Sequence, residues 1–390
     1  MSARHHAAGA VLGAALALAA AARAGAQPST ARDTARDTAR ALRVLPVVGA
    51  APETGVQLGG TLVRIYRTGR PGADGADAGA ALRPSTDQLF AVATQRRQVR
   101  LFVERDAWFA ANRRRLNLRL EALRFPQPFF GLGADAPAAA EEWYTANTAI
   151  GFATLQQSHP WLGRHGYLTA TYRITHTDVV ERERDGRLVR GDGPATPRTA
   201  PWVRGASGSR VGQLELGAIW DTRDNIFAPR DGRFVQLAVA EAARPFGSEF
   251  RFSRLTLDAR RYRALGARTV LAGQLFTDLV AGRVPFDQLP QVGGATVLRG
   301  YVRGRWRDQA LSAAQLELRQ ELPRRFGVVG WAGVGGVAPS LLDLGPDEFV
   351  PTFGVGVRWM LLPGERANLR VDVAQGRGSR GLYVGFAESF

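Results

Sequence analysis

Several common sequence features are missing from this chain of 390 residues. It contains no cysteine, which excludes a disulfide framework and metal sites built from thiolates. It also contains no lysine, so arginine supplies all 51 of its basic residues. Beyond the N-terminal region, no apolar run approaches the roughly 20 residues that a transmembrane helix needs. The chain therefore offers neither a disulfide scaffold nor a helical membrane span.

Signatures of catalysis and metal binding are missing as well. The sequence has no GxSxG motif and no evident pair of nucleophile and base. Beyond the first 26 residues only His159, His165 and His176 carry imidazoles, and they are scattered. We therefore expect no catalytic residue, no metal and no cofactor. The formal net charge of +16 invites a nucleic-acid partner, but the arginines are spread among acidic residues rather than clustered, which argues against one.

The N-terminal region predicts export. Arg4, His5 and His6 precede a short apolar run that ends in Ala24-Gly25-Ala26, the pattern of a secretory signal peptide covering residues 1–26. The alternative is a retained N-terminal helix. Residues 27–42 repeat TARD without an apolar face, which predicts a flexible periplasmic tether. The remaining residues, 43–390, form the predicted main domain.

What the main domain does contain is a recurring two-faced strand. In RRRLNLRLEALRF (113–125), Leu116, Leu118 and Leu120 alternate with Asn117 and Arg119. Successive side chains of a strand point to opposite faces, so each such strand has an apolar and a charged side. A soluble sandwich would turn the apolar side inward, and a membrane barrel would turn it toward lipid. Charges at every second position of strand after strand favour the barrel, since its lumen holds water.

Sixteen such segments can be counted between residues 43 and 390, the last of them at 381–390. An even number of strands is the rule for bacterial single-chain barrels and places both ends of the barrel in the periplasm. The longest links, about 180–208 and 282–308, then face outward. The link 68–85 is long for a periplasmic turn. The predicted fold is all-β, a 16-stranded antiparallel transmembrane β-barrel.

Three motifs are more specific than this pattern. The first is a glycine-rich loop before the twelfth strand, and it contains Leu298, Arg299, Gly300 and Tyr301. The second is WDTRDNIFAPRDGRF (220–234), with Asp221, Arg223, Asp224, Pro229 and Gly232. The third is the C-terminal sequence, with Tyr383, Phe386 and Phe390.

In this order the motifs resemble the BamA and TamA superfamily of outer-membrane barrels, the bacterial surface antigen family. The resemblance implies a loop inserted into the lumen, a periplasmic turn at 220–234 and a C-terminal signal that the barrel-assembly machinery reads. It also implies a bacterial outer-membrane location and contact with outer-membrane lipid, while any client protein stays unknown. Only about 16 residues separate the predicted leader from the first strand, so we expect a barrel-only member without POTRA modules.

The resemblance assigns a role to Arg299. In the family, the arginine of this motif docks on acidic groups of the inner wall, and Glu317 or Glu321 on the next strand is the expected partner. Gly333 stands where an aspartate is often found on strand thirteen, so one anchor of this latch is expected to be missing. The alternative is that Arg299 belongs to an extracellular loop in water.

Two functions remain open. The barrel could assist insertion or translocation of proteins or lipids by parting the seam between its first and last strands, which Gly381 and Gly385 would weaken. Alternatively, it could be a passive narrow pore or a structural outer-membrane protein, with an arginine-rich lumen that favours anions.

Overall fold

The computed structural model describes residues 42–67, 83–190 and 203–390. The predicted signal peptide, all of the tether but its last residue, and positions 68–82 of the long second link lie outside these ranges. The described residues contribute sixteen barrel strands, β1 to β16: Leu42–Ala51, Gly55–Tyr66, Ser85–Thr94, Val99–Phe109, Arg114–Phe129, Glu142–Ser158, Gly166–Arg182, Gly208–Asp221, Gly232–Ala242, Phe252–Ala264, Thr269–Gly282, Ala310–Glu321, Phe326–Ala338, Val350–Leu362, Ala367–Gly376 and Ser379–Phe386.

These strands close into one barrel. Each pairs antiparallel with its neighbours in the chain, and β1 meets β16. Closure leaves no open edge, which lipid would not tolerate. The predicted 16-stranded antiparallel barrel is thus confirmed. The bounds of the last strand were wrong: β16 ends at Phe386, not at residue 390.

The wall has an apolar outside and a charged inside. On β12, Leu316 and Leu318 are 60% and 50% exposed, whereas Glu317 between them is fully buried. The two-residue period of a strand produces this contrast. The outward face carries leucine, valine and phenylalanine on strand after strand, as a lipid-facing surface requires.

The two ends of the barrel differ in their links. At one end, short turns such as 322–325 and 363–366 join the strands, with the β2–β3 link, 67–84, as a long exception, and at the other end β7 is joined to β8 through 183–207 and β11 to β12 through 283–309. Within the three described ranges, no helix is both long and apolar enough to cross a bilayer. The asymmetry agrees with short periplasmic turns and long outer loops.

The link 283–309, here called the lumen loop, folds back into the barrel. A short ribbon closes its base, with Gln291–Val292 paired to Trp306–Arg307. Its apolar side chains pack with β12, β13 and β14 in a buried cluster of Val292, Leu298, Tyr301, Leu311, Ala313, Val337 and Val350. The loop is therefore a fixed part of the interior.

Candidate functional site in the barrel lumen

The tetrapeptide Leu298–Tyr301, here called the latch motif, lies at the centre of the lumen loop. Gly300 has a φ of +115°, a region that glycine enters without strain. A Cβ there would lie 2.7 Å from Thr352 Oγ1, so glycine also permits the close approach to the wall. The backbone N–H of Gly300 donates to the Tyr383 hydroxyl at 2.9 Å. The Tyr301 hydroxyl donates to the Pro351 carbonyl at 2.7 Å.

Arg299 is fully buried and joins two strands of the wall. Its Nη1 donates to Asp372 Oδ2 on β15 at 2.6 Å, and its Nη2 donates to Glu317 on β12. The guanidinium carbon lies 3.8 Å from the ring centroid of Trp331 on β13. A planar guanidinium suits such paired and stacked contacts. The latch motif as a whole contacts all five strands from β12 to β16.

The expected partners of Arg299 need two corrections. Glu321 does not contact Arg299; it pairs with Arg230 of the β8–β9 turn, because it lies at the end of β12, beyond the reach of the loop. In addition, Asp372, which was not among the expected partners, shares Arg299 with Glu317, and each carboxylate takes one guanidinium nitrogen. The anchor expected to be missing at Gly333 is thus supplied by Asp372. At Gly333 itself a Cβ would lie 3.0 Å from the Ala314 carbonyl oxygen, which leaves little room for a side chain.

Sequence reasoning also missed that these contacts form a closed ring of buried charges. From Glu317 the ring passes to Arg319 at 2.8 Å, and Arg319 lies 4.0 Å from Glu388. Glu388 pairs with Arg358 at 2.7 Å, and Arg358 with Asp372 at 2.5 Å. Arg299 closes the cycle. The ion-pair ring therefore consists of Arg299, Glu317, Arg319, Glu388, Arg358 and Asp372. The inward positions of Glu317, Arg319, Arg358 and Asp372 on two-faced strands were the available signal, but the pairing of the ring depends on which strands meet across the lumen.

The C-terminal tail, residues 387–390, turns into the barrel instead of extending β16. Phe390 is 5% exposed and packs with Tyr262 and Ala272 inside the lumen. Its carbonyl oxygen accepts a hydrogen bond from Arg319 at 2.9 Å, and the Ser389 hydroxyl donates to Ala295 of the lumen loop at 2.9 Å. The tail thus joins β16 to the loop and the ion-pair ring. Of the three predicted signal residues, Tyr383 also faces the lumen, and only Phe386 is exposed.

The second motif forms the β8–β9 turn, residues 222–231. Arg223 donates to both oxygens of Asp221, at 2.9 and 2.8 Å, and Pro229 is buried. Gly232 has a φ of +107°, and a Cβ there would lie 2.3 Å from the Thr222 carbonyl oxygen. The turn therefore requires glycine at this position.

This turn reaches across the end of the barrel. Asp224 accepts from Arg366 of the β14–β15 turn at 2.7 Å, and the Phe227 carbonyl accepts the backbone N–H of Glu388 at 3.1 Å. The rings of Phe227 and Phe386 lie 6.0 Å apart. Because β8 and β15 stand far apart around the wall, these contacts cover the end of the lumen that carries the short turns.

The seam between β1 and β16 is the weakest strand pairing. Only Ala50 and Val384 are in register across it, although every residue of both strands is described. By contrast, ten pairs join β1 to β2, from Leu42↔Arg64 to Ala51↔Gly55. Pro46 in β1 has no N–H to donate, and proline within sheets is confined to such edges.

In the described ranges, no group of histidine or acidic side chains could hold a metal ion. The fold and the site together define a 16-stranded barrel of outer-membrane type with an inserted, ion-paired loop. The Omp85 superfamily domain matches residues 88–376, and the chain belongs to that superfamily. The predicted relationship to BamA-type barrels is confirmed. No curated protein matches the chain in sequence.

Solved structures share this fold at low sequence identity. BamA from Haemophilus ducreyi lacking POTRA domains 1–3 is 15% identical with a TM-score of 0.57, and the match covers 89% of this chain and 70% of that one. CdiB from Acinetobacter baumannii is 9% identical with a TM-score of 0.54, covering 89% and 65%. CdiB from Escherichia coli is 10% identical with a TM-score of 0.56, covering 89% and 67%. At these identities the likeness concerns the fold.

Proposed function

We propose that the protein is a non-enzymatic barrel of the bacterial outer membrane that assists insertion or translocation of proteins or lipids by opening its β1–β16 seam. The observation that carries the proposal is the single registered pair across the seam, Ala50↔Val384. Separating β1 from β16 breaks few backbone hydrogen bonds, whereas separating any other pair of neighbouring strands breaks a longer ladder of them. Gly381 and Gly385 lower the stability of β16 further.

The latch motif supplies a way to couple the seam to the interior. Gly300 donates to Tyr383 on β16, and the C-terminal tail carries Glu388 from β16 into the ion-pair ring. Movement of β16 away from β1 would therefore pull on the lumen loop. In this proposal the loop and tail hold the seam closed until a client or lipid engages it.

Outer-membrane lipid and the barrel-assembly machinery are the partners proposed for this barrel. Its apolar outer wall fits a bilayer, while the C-terminal signal, Tyr383, Phe386 and Phe390, stays a prediction because two of its aromatic rings lie in the lumen. We expect the protein in the outer-membrane fraction, with a shifted migration on unheated gels. Recovery from the soluble periplasm would contradict this location.

The chain has no cysteine, so two introduced cysteines can form a disulfide only with each other. We would compare the double variant Ala50→Cys, Val384→Cys with a control, Ala259→Cys, Leu275→Cys, on the continuous β10–β11 pair. Paired strand positions lie within disulfide reach. The measurement is the rate at which a second barrel folds into liposomes that contain each protein.

We expect the oxidised seam variant to lose the acceleration and to regain it on reduction, with the control active in both states. Equal activity of the locked and unlocked seam would contradict the proposal.

The alternative function, a passive narrow pore, makes a different prediction in planar bilayers. The lumen loop packs through the buried cluster around Leu298, so the intact barrel should pass only small, unsteady currents, and deletion of residues 293–305 should enlarge them. Large steady currents from the intact chain would favour the pore.

A further inference from the structure

A second interior space lies on the other side of the lumen loop. It is a cavity of about 730 Å³, here called the chamber, bounded by β4–β8, β10, β11 and the lumen loop. Most of its lining comes from the strand halves nearer the long links. Its volume falls in the range of sites for small organic ligands.

The chamber carries an excess of positive charge. Its lining holds six arginines and four carboxylates, and Glu104, which pairs with Arg119 from outside the lining, reduces the excess to one positive charge. Three of the arginines are neutralised: Arg100 pairs with Glu121 at 2.6 Å, Arg119 pairs with Glu104 at 2.5 Å, and Arg254 pairs with Asp278. The other three are Arg173, Arg303 and Arg307, and they differ from every arginine of the ion-pair ring.

None of these three makes an ion pair with a carboxylate in the described part of the chain. Arg307 is 2% exposed, and its Nε has no hydrogen-bond partner. Its Nη atoms reach only the neutral oxygens of Tyr144 and Pro128, each at 3.4 Å. Arg173 lies over the Phe152 ring, 4.9 Å from its centroid, and it donates no hydrogen bond to any described residue.

Arg303 projects from the lumen loop and is exposed to the chamber. Desolvation by the surrounding protein lowers the pKa of its guanidinium, an effect that the charge of Glu53 offsets only in part. A guanidinium stays charged in proteins, so the chamber holds three cations without ion pairs beside only two further carboxylates, Glu215 and Asp287. Uncompensated confined charge is costly unless a ligand or counter-ion supplies the balance.

We propose that the chamber binds a soluble, phosphate-bearing small molecule through Arg173, Arg303 and Arg307. A phosphate group carries about −1.5 to −2 charges and three acceptor oxygens, and three arginines without ion pairs line the chamber to donate to those oxygens. Guanidinium groups bind phosphate oxygens through paired N–H donors. This site is independent of the seam, so its test does not depend on the proposed insertion activity.

The test uses the full-length mature barrel in detergent, with pyrophosphate as the probe. Its unfolding temperature is measured on gels with pyrophosphate and with chloride at equal ionic strength, and the dissociation constant is measured by calorimetry. Variants Arg173→Gln and Arg303→Gln remove chamber cations. The control Arg261→Gln removes an exposed arginine of β10 that does not line the chamber.

We expect pyrophosphate, but not chloride, to raise the unfolding temperature. Each chamber variant should weaken binding by about tenfold, the loss typical of one charge-assisted hydrogen bond, and the control should leave it unchanged. Stabilisation that persists in both chamber variants would overturn the proposal. So would a response only to phosphatidic acid added to the micelles, since that anion would then bind the outer wall.

Discussion

The two sides of the lumen are built from the same kind of strand but behave differently. Along β12–β16 the inward charges are buried and paired, and the lumen loop packs directly on them. Along β4–β8 the inward charges line an open chamber, and Arg173 is without an ion-pair partner. Alternation along a strand therefore decides only that a residue points inward. Whether it meets protein or water depends on where the loop lies.

The largest test of this contrast is Arg299→Ala on the packed side. It leaves Glu317 and Asp372 short of one cation each in a dry site, so we expect a loss on the order of 3–5 kcal/mol in unfolding free energy. Arg299→Lys should recover only part of it, since an ammonium lacks the planar fork. The unfolding temperature on heated gels measures both effects.

A double-mutant cycle tests which carboxylate matters. Arg299→Ala combined with Glu317→Gln, or with Asp372→Asn, should cost less than the sum of the single losses. Strict additivity with both carboxylates would show that Arg299 is not held by the wall.

A smaller loss is expected from Glu388→Gln in the C-terminal tail. The change removes the charge that faces Arg358 and Arg319 but keeps a side chain of similar shape. The free energy of unfolding should therefore fall by about 1–3 kcal/mol. Glu365→Gln, at an exposed turn position, is the matched control. Equal melting of the two variants would mean that the tail does not support the packed side.

The β8–β9 turn should make the barrel weakly sensitive to acid. Burial raises the pKa of Asp224, but hydrogen bonds from Arg366 and from the Arg230 and Asp231 backbone lower it overall. Because its pKa is lower in the folded state, Asp224 stabilises the fold at pH values above the ordinary aspartate pKa of about 3.9. This contribution is lost as the pH falls through the pKa of Asp224 in the folded protein.

Because Asp224 is partly exposed, the contribution should be below about 1 kcal/mol. We expect Asp224→Asn to melt lower than the parent at pH 7, and the difference to narrow as the pH falls below the ordinary aspartate pKa of about 3.9. Unfolding temperatures measured across this range would show it, and a difference that does not narrow in acid would contradict the assignment.

The smallest effect belongs to the chamber side. Arg303→Ala removes a cation without an ion-pair partner, so without ligand the unfolding temperature should stay the same or rise slightly. Arg261→Ala serves as the control for loss of charge. A marked destabilisation by Arg303→Ala would show that both sides of the lumen are packed alike, and the comparison would fail.

Much of the wall could be predicted from the sequence alone. Alternating pairs such as Leu316 and Glu317 carry the strand period, and the predicted number of strands, sixteen, is confirmed. The last strand was misjudged because SRGLYVGFAESF continues to alternate, while Ala387 takes a φ of +64° and turns the chain inward. Nothing in the local sequence pattern predicts that turn.

The candidate site, too, has a part that the sequence predicts and a part that only the tertiary structure determines. The residues of the latch motif and their inward-facing candidates were visible as a glycine-rich loop before a charged strand, because backbone freedom and strand period are local properties. The choice of Glu317 over Glu321, the part played by Asp372 and the enclosure of Glu388 were decided only by the closed barrel. Barrel closure brings β12, β15 and the C-terminal tail around one guanidinium, and contacts between residues 18 to 73 positions apart depend on that geometry and not on any nearby sequence.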